Sequence, residues 1–323
     1  MKISELNVND RVNITLVVKS ASARETRAKK PYLALELYDG TSIINGNYWD
    51  WVTGNIPPVN AILDVTATVT EWQGVKQLNI VKIATNTERH LSEFMPTGSH
   101  DIAQTYKDAY ALASDIRNDA LRTITLSILE ELKDLWLTVP GAVSVHHNYV
   151  GGTLVHSLGV ARMALSICNN IPEANKDLCV AGGLLHDIGK LFTYKINGVN
   201  IEYTDEGRIF EHIFMGAEFV GNFAESHIDA DDDTNYSIVR LLKHIILSHH
   251  GKQEYGSPIT PKCIEAYIVS AADGINAQAE QIRAACAKDG VKVWTDKVFG
   301  LGGHQQINPA AVKKLFDTAD LPI

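Results

Sequence analysis

The chain has 323 residues, 45% of them hydrophobic and 21% charged, with a net charge of −9. That is length for two domains and apolar content for a full core. No apolar run reaches the ~18 residues of a membrane helix, and the opening MKISELNVNDR lacks the core of a signal peptide. A soluble, cytoplasmic protein with no membrane partner is expected. Cys168, Cys179, Cys263 and Cys286 show no CxxC spacing and sit in apolar, helical-looking segments, which predicts buried free thiols.

The charge is uneven. Residues 1 to 90 hold 10 Lys+Arg against 9 Asp+Glu, which leaves 19 against 29 in the remainder. The acidic excess argues against broad nonspecific duplex binding, yet a local basic strip can still hold a phosphate backbone. Arg24, Arg27, Lys29 and Lys30 form such a strip.

Between Arg11 and Ala84, short β-branched and aromatic runs alternate with turn signals. RVNITLVVKS, PYLALELY, TSIINGNYWDW, AILDVTATVTEW and KQLNIVKIA read as five strands, separated at Asp39-Gly40, Asn55-Ile56-Pro57-Pro58 and Gln73-Gly74. Five strands in this length predict a small barrel; the oligonucleotide-binding (OB) barrel has that strand count and grips single strands by aromatic stacking and a basic groove. Tyr32, Tyr38, Tyr48, Trp49, Trp51 and Trp72 supply rings, although alternation places about every second one inside the barrel. Tyr32 and Trp49, with Arg24, Arg27, Lys29 and Lys30, are the candidate nucleic-acid contacts.

Residues 89 to 104, around Pro96, Thr97, Gly98 and Ser99, lose both periodicities and read as a linker between a first domain (1 to 88) and a second (105 to 323). The second domain is expected to be all helical. IRNDALRTITLSILEELKDLW, GGTLVHSLGVARMALSICNN, EANKDLCVAGGLLHDIGKLF, RIFEHIFMGAEFVGNFAESH, NYSIVRLLKHIILSHH and PKCIEAYIVSAADGINAQAEQIRAACAK all space apolar residues three and four apart. GVNIEYTDEG reads as a polar excursion between helices, and Asp229, Asp231, Asp232 and Asp233 as a solvated acidic loop.

Within these helices His156, His186, Asp187, His212, His249, His250 and Asp273 recur at separate segments. An Asp directly after the apolar run GGLL is rarely buried unless paired or coordinated. Imidazole and carboxylate together suit borderline divalent metals such as Mn, Fe, Co, Ni or Zn, and adjacent His and Asp can serve two ions when the carboxylate bridges. His146, His147, His227 and His304 fit no such spacing and read as loop or surface residues, and His244 falls on a different helix face from His249.

The order H…HD…H…HH…D, centred on LLHDIGK, resembles the HD superfamily of metal-dependent phosphohydrolases. Together with KKPYLALELYDG, NYWDW and the block HHGKQEYGSP, it resembles more closely the YhaM-like 3′-5′ exoribonucleases, which join an OB barrel to an HD domain. GGTLVHS and SAADGINAQ depart somewhat from the family's usual wording, while every expected ligand is retained. The resemblance implies one ion at His156, His186, Asp187 and Asp273, and a second sharing Asp187 with His212 and His249. His250 is then either a substituted ligand or an outer donor. Mn is the favoured metal, with Mg also open. Asp187, Lys190 and His212 are the candidate catalytic residues. Lys190 lies three residues past Asp187, close enough to offer a point charge to a substrate phosphate.

The expected activity is 3′-5′ hydrolysis of single-stranded RNA, with single-stranded DNA also open, to nucleoside 5′-monophosphates. Family members are thought to form homo-oligomers, but no interface is legible. Two alternatives stand beside it: hydrolysis of a small cyclic or signalling nucleotide, and an inactive nucleic-acid-binding adaptor.

Overall fold

The structure is a computed structural model that describes residues 1–52, 54–143, 147–229, 232–287 and 293–317. It divides into two compact units, Met1–Thr97 with Ile196–Asn200, and Gly98–Lys195 with the chain from Ile201 onward.

The first unit is a closed barrel of β1 (Arg11–Glu25), β2 (Pro31–Tyr38), β3 (Ile43–Tyr48), β4 (Ile62–Trp72) and β5 (Val75–Thr85), in the order β1-β2-β3-β5-β4. This is the arrangement of the OB fold. Strand β1 extends beyond the run that its alternation predicts. Its first half pairs with β4 and its second with β2, and a register shift between Val18 and Ser20 lets one strand serve two neighbours. Period-two alternation puts Val12, Ile14, Leu16 and Val18 inside with Leu33, Leu35, Leu37, Val65, Val69 and Leu78. Gln73 and Gly74 both take positive φ, 51° and 79°, the geometry of a two-residue hairpin turn whose twist matches the strands it joins.

Beyond the barrel strands, Phe94 is buried with Val17, Tyr38, Ile62 and Val199 inside this unit. Asp39 is tied down by backbone N–H groups of its own turn and of the segment at Ile3. Its Oδ2 accepts from Ile3 N at 2.6 Å, and its Oδ1 accepts from Thr41 N at 2.8 Å and Ser42 N at 2.7 Å.

The second unit is helical. Its elements are α1 (Ile102–Ser114), α2 (Asp119–Glu131), α3 (Lys133–Thr138), α4 (Gly152–Cys168), α5 (Lys176–Leu185), α6 (Lys190–Thr193), α7 (Asp205–His227), α8 (Asp233–Ser248), α9 (Ile264–Cys286) and α10 (Pro309–Asp317). Side-chain caps start several of them: Asp101 accepts from Gln104 N, Asn118 from Leu121 N, Asn175 from Leu178 N and Thr204 from Gly207 N. Helices α4 and α5 are apolar on nearly all sides because they run through the core, with Leu154, Leu158, Ala161, Ala164, Cys179, Leu184 and Leu185 all buried.

The structure corrects several expectations. Helix α1 falls partly in the expected linker; its fully buried residues are the small Ala109 and Ala113, with Ile102, Tyr106 and Leu112 packed partly buried against the core. The stretch from Ile116 to Trp136 is two helices broken at Leu132, and the HD stretch is a helix that ends at Leu185 and restarts at Lys190. GVNIEYTDEG supplies a strand: β6 (Tyr194–Asn197) and β7 (Asn200–Tyr203) form a hairpin. All four cysteines are free, but only Cys168 and Cys179 are buried, while Cys263 and Cys286 are partly exposed. Asp232, expected in a solvated loop, caps α8 by accepting from Thr234 N and Asn235 N, and Asp231 lies outside the described residues. Among the described residues no helix is long and apolar enough to cross a membrane.

Candidate metal centre

Five segments of the helical unit bring their donors together. His156 comes from the first half of α4, His186 and Asp187 from the turn after α5, His212 from α7, His249 and His250 from the end of α8, and Asp273 from α9. The glycines of the HD stretch explain how the backbones come so close. A Cβ on Gly183 would lie 2.6 Å from Ala161 Cα on α4, and one on Gly189 would lie 1.9 Å from the His212 carbonyl. Glu211, just before His212, has φ 60° and ψ 159°, which breaks the helical path of α7 at the ligand.

Asp187 is buried at 1% exposure and uses its two oxygens differently. Oδ2 lies 3.3 Å from His156 Nε2 and 3.4 Å from His186 Nε2, while Oδ1 lies 3.5 Å from both His212 Nε2 and His249 Nε2. Asp273 Oδ1 closes the first group at 3.1 Å from His156 Nε2 and 3.9 Å from His186 Nε2. His212, His249 and His250 can offer three ligand atoms within 4.8 Å of one another, as can His156, His186 and Asp187, and His186, His249 and Asp273. Both histidines of the doublet therefore reach the centre.

The far nitrogens of three of these histidines are already committed, while His212 Nδ1 is buried without a hydrogen-bond partner. His186 Nδ1 donates to the Gly183 carbonyl at 2.9 Å, His249 Nδ1 to Ile246 at 2.7 Å, and His250 Nδ1 to Tyr255 at 2.7 Å. A ring that donates from Nδ1 presents a lone pair on Nε2, the arrangement a metal ligand needs. Asp187 Oδ1, His212 Nε2 and His249 Nε2 are buried and have no hydrogen-bond partner, a costly state that a cation among them would relieve. The donor set fits one or more divalent ions.

The electrostatics are those of the ion-free site. Burial alone would raise the Asp187 carboxyl, but the Lys190 ammonium and His186 outweigh it and hold the group well below the usual carboxylate range. Asp273 is likewise held down against burial by His156. Burial opposes charge on His156, yet its hydrogen bonds to Asp187 and Asp273 prevail and raise it to about 9, so the ion-free ring holds a proton on Nε2 that a bound cation would displace. Burial lowers His212 to about 4, so it is a neutral lone-pair donor near pH 7. Lys190 reaches Asp187 Oδ2 at 2.7 Å, from the first position of α6 rather than from a continuous helix.

Behind His156 lies a layer that the sequence does not announce. His147, expected in a loop or at the surface, is buried at 3% exposure. Its Nδ1 meets the Tyr149 hydroxyl at 2.8 Å and its Nε2 meets Asn276 Oδ1 at 3.3 Å. The one sequence signal for Asn276 is its position about one helical turn after Asp273. His227 bonds Glu131 at 2.8 Å at the surface, His304 bridges to Val298, and His146 lies outside the described residues. His244 accepts from Lys262 N at 2.9 Å and takes no part in the centre.

On the barrel, Tyr32 and Trp49 pack as a tilted pair with ring centroids 4.5 Å apart. Arg24, Arg27, Lys29 and Lys30 are exposed where β1 turns into β2. Lys30 pairs with Asp50 at 3.2 Å, beside Trp49 in the chain. Tyr38 is buried, whereas Trp72 is 67% exposed.

A family model described as the HD domain matches residues 153–278, a span that contains every candidate ligand from His156 to Asp273. The chain is 30% identical over 315 residues to the 3′-5′ exoribonuclease YhaM of Listeria monocytogenes serotype 4b strain CLIP80459, covering 95% of this chain and 98% of that protein. It is 29% identical over 314 residues to the protein of the same name from Listeria welshimeri, with the same coverage. Among solved structures, a domain of replication protein A from Methanococcus maripaludis is similar at 28% identity and TM-score 0.24, over 26% of this chain and 92% of that one.

Proposed function

This chain belongs to the YhaM family of 3′-5′ exoribonucleases, and we propose that it removes nucleoside 5′-monophosphates one at a time from the 3′ end of single-stranded RNA, using divalent ions. The observation that carries the metal dependence is the division of Asp187 between two histidine groups, one at each oxygen, with three buried donor atoms left unsatisfied. His156, His186, Asp187 and Asp273 would hold one ion. Asp187, His212 and His249 would hold a second, with His250 at its edge.

When bound, such ions lower the pKa of water and neutralise charge on the oxygens of a phosphodiester. The chain's own groups do the rest. Asp187, with one oxygen toward each histidine group, would serve both positions. His212 is neutral near pH 7 and brings no competing proton. Lys190, fixed against Asp187 Oδ2, offers a point charge to a phosphate oxygen. Water adds to phosphorus, the P–O3′ bond breaks, and the shortened strand keeps a 3′ hydroxyl. The exposed basic residues and the Tyr32–Trp49 pair are the proposed grip on the strand.

The test is end-labelled single-stranded RNA and DNA incubated with Mn²⁺, beside a cyclic dinucleotide. A ladder shortening from the 3′ end of RNA with 5′-monophosphate product is expected. Turnover of the cyclic dinucleotide alone, or strand binding without cleavage in the metal-loaded protein, would overturn the proposal.

A further inference from the structure

Asn276 is buried at 7% exposure on α9. Its Oδ1 lies 2.9 Å from Nδ1 of His156 as well as 3.3 Å from Nε2 of His147. Burial pushes the Tyr149 phenol up, so its hydroxyl stays protonated and can donate to His147 Nδ1, 2.8 Å away. His147 then carries its proton on Nε2 and gives it to the Asn276 oxygen. An amide oxygen only accepts, through two lone pairs, so the His156 nitrogen facing it must also carry hydrogen. That leaves Nε2, the atom 3.1 Å from Asp273 Oδ1 and 3.3 Å from Asp187 Oδ2, as the nitrogen that would give up its proton and offer its lone pair to a cation.

A second observation is independent of the hydrogen bond. Gly159 lies on α4, three residues after His156, and a Cβ there would sit 2.4 Å from Asn276 Nδ2. Glycine in the middle of a helix is disfavoured by about 1 kcal/mol relative to alanine, and here it leaves the space that the amide fills.

We propose that Asn276 is a positioning residue that locks His156 in the tautomer offering Nε2 to a cation, with Gly159 keeping room for its amide. The assignment rests on the metal centre proposed above. Carboxylates and carbonyls commonly hold the far nitrogen of a ligating histidine in this way; here a side-chain amide does so, and it is itself held by a second histidine.

The test is Mn²⁺ uptake by the full-length protein, followed by electron paramagnetic resonance titration alongside thermal melting. The variants are Asn276→Leu, Asn276→Asp and Gly159→Ala. The leucine and alanine variants are expected to bind one ion roughly 10 to 100 times more weakly and to leave the ion at His212 and His249 unchanged. Asn276→Asp keeps an acceptor oxygen and should stay near wild type. Gly159→Ala removes no polar group and favours the helix, so it separates a displaced amide from a damaged fold. Wild-type uptake by both the leucine and alanine variants overturns the assignment and leaves the metal centre standing. Equal weakening of every ion together with a lowered melting temperature, or failure of Asn276→Asp to restore binding, reduces Asn276 to packing and overturns it too. A wild-type protein that takes up no Mn²⁺ overturns the metal centre, and this assignment with it.

Discussion

Asp187 is a buried carboxylate whose two oxygens face different histidine groups, with the Lys190 ammonium 2.7 Å from one of them. Asp187→Ala should abolish hydrolysis, with a loss beyond the ~100-fold typical of outer-shell substitutions, and should leave binding of single-stranded RNA largely intact; a gel of cleavage beside a filter-binding assay checks both. Lys190→Met removes one partner of a buried pair, which usually costs about 3–5 kcal/mol. In chelator the variant should unfold at lower urea than wild type, and Mn²⁺ should restore much of the difference by supplying the missing positive charge. Asp187 and the candidate donors around it are legible in the sequence, because a carboxylate after an apolar run and imidazoles recurring on successive helices have few other uses. His147 and Asn276 are not legible, because a histidine in an irregular loop and an asparagine on a helix have many ordinary roles until tertiary contacts bring them together.

Among the secondary-structure elements, the barrel strands are legible because period-two alternation and the Asp39-Gly40 and Gln73-Gly74 turns act locally. Asp39 ties the segment at Ile3 to the turn between β2 and β3. Burial would raise its carboxyl, but the backbone N–H groups of Ile3, Ser42 and Thr41 prevail and lower it. A carboxyl depressed in the folded state contributes stability that is present above the unfolded value of about 3.9 and lost as pH falls through the lower folded value. Asp39→Asn should therefore destabilise the protein at pH 7 by about 1.5–3 kcal/mol, the range for hydrogen bonds to a charged group, and flatten the acid limb of stability below about pH 4. Urea unfolding from pH 7 to pH 2 measures both. Boundaries in the helical unit are less legible. The continuous apolar periodicity of the HD stretch conceals a break between Leu185 and Lys190, because buried helices are apolar on every side and their ends carry little signal.

For the whole molecule, the chain joins an OB barrel to a helical unit holding the candidate metal ligands. If the barrel grips the strand, replacing Arg24, Arg27, Lys29 and Lys30 together with Gln should weaken binding of long RNA and reduce the slope of log affinity against log salt by up to about 0.7 for each phosphate no longer neutralised. Cleavage of dinucleotides should be unaffected, and an equal fall for long and very short substrates would remove the barrel from the grip. Both architectures and the ligand types can be read along the chain, because they follow from periodicity, turn chemistry and donor identity, all of which act or are written locally; the reaction class comes from the resemblance that LLHDIGK and HHGKQEYGSP carry. That Asp187 divides its oxygens between two histidine groups, that both His249 and His250 reach the centre, and that Asn276 backs His156 emerges only in three dimensions. Those facts depend on angles and distances between helices far apart in sequence, set by close backbone approaches such as Gly183 to Ala161 and Gly189 to His212.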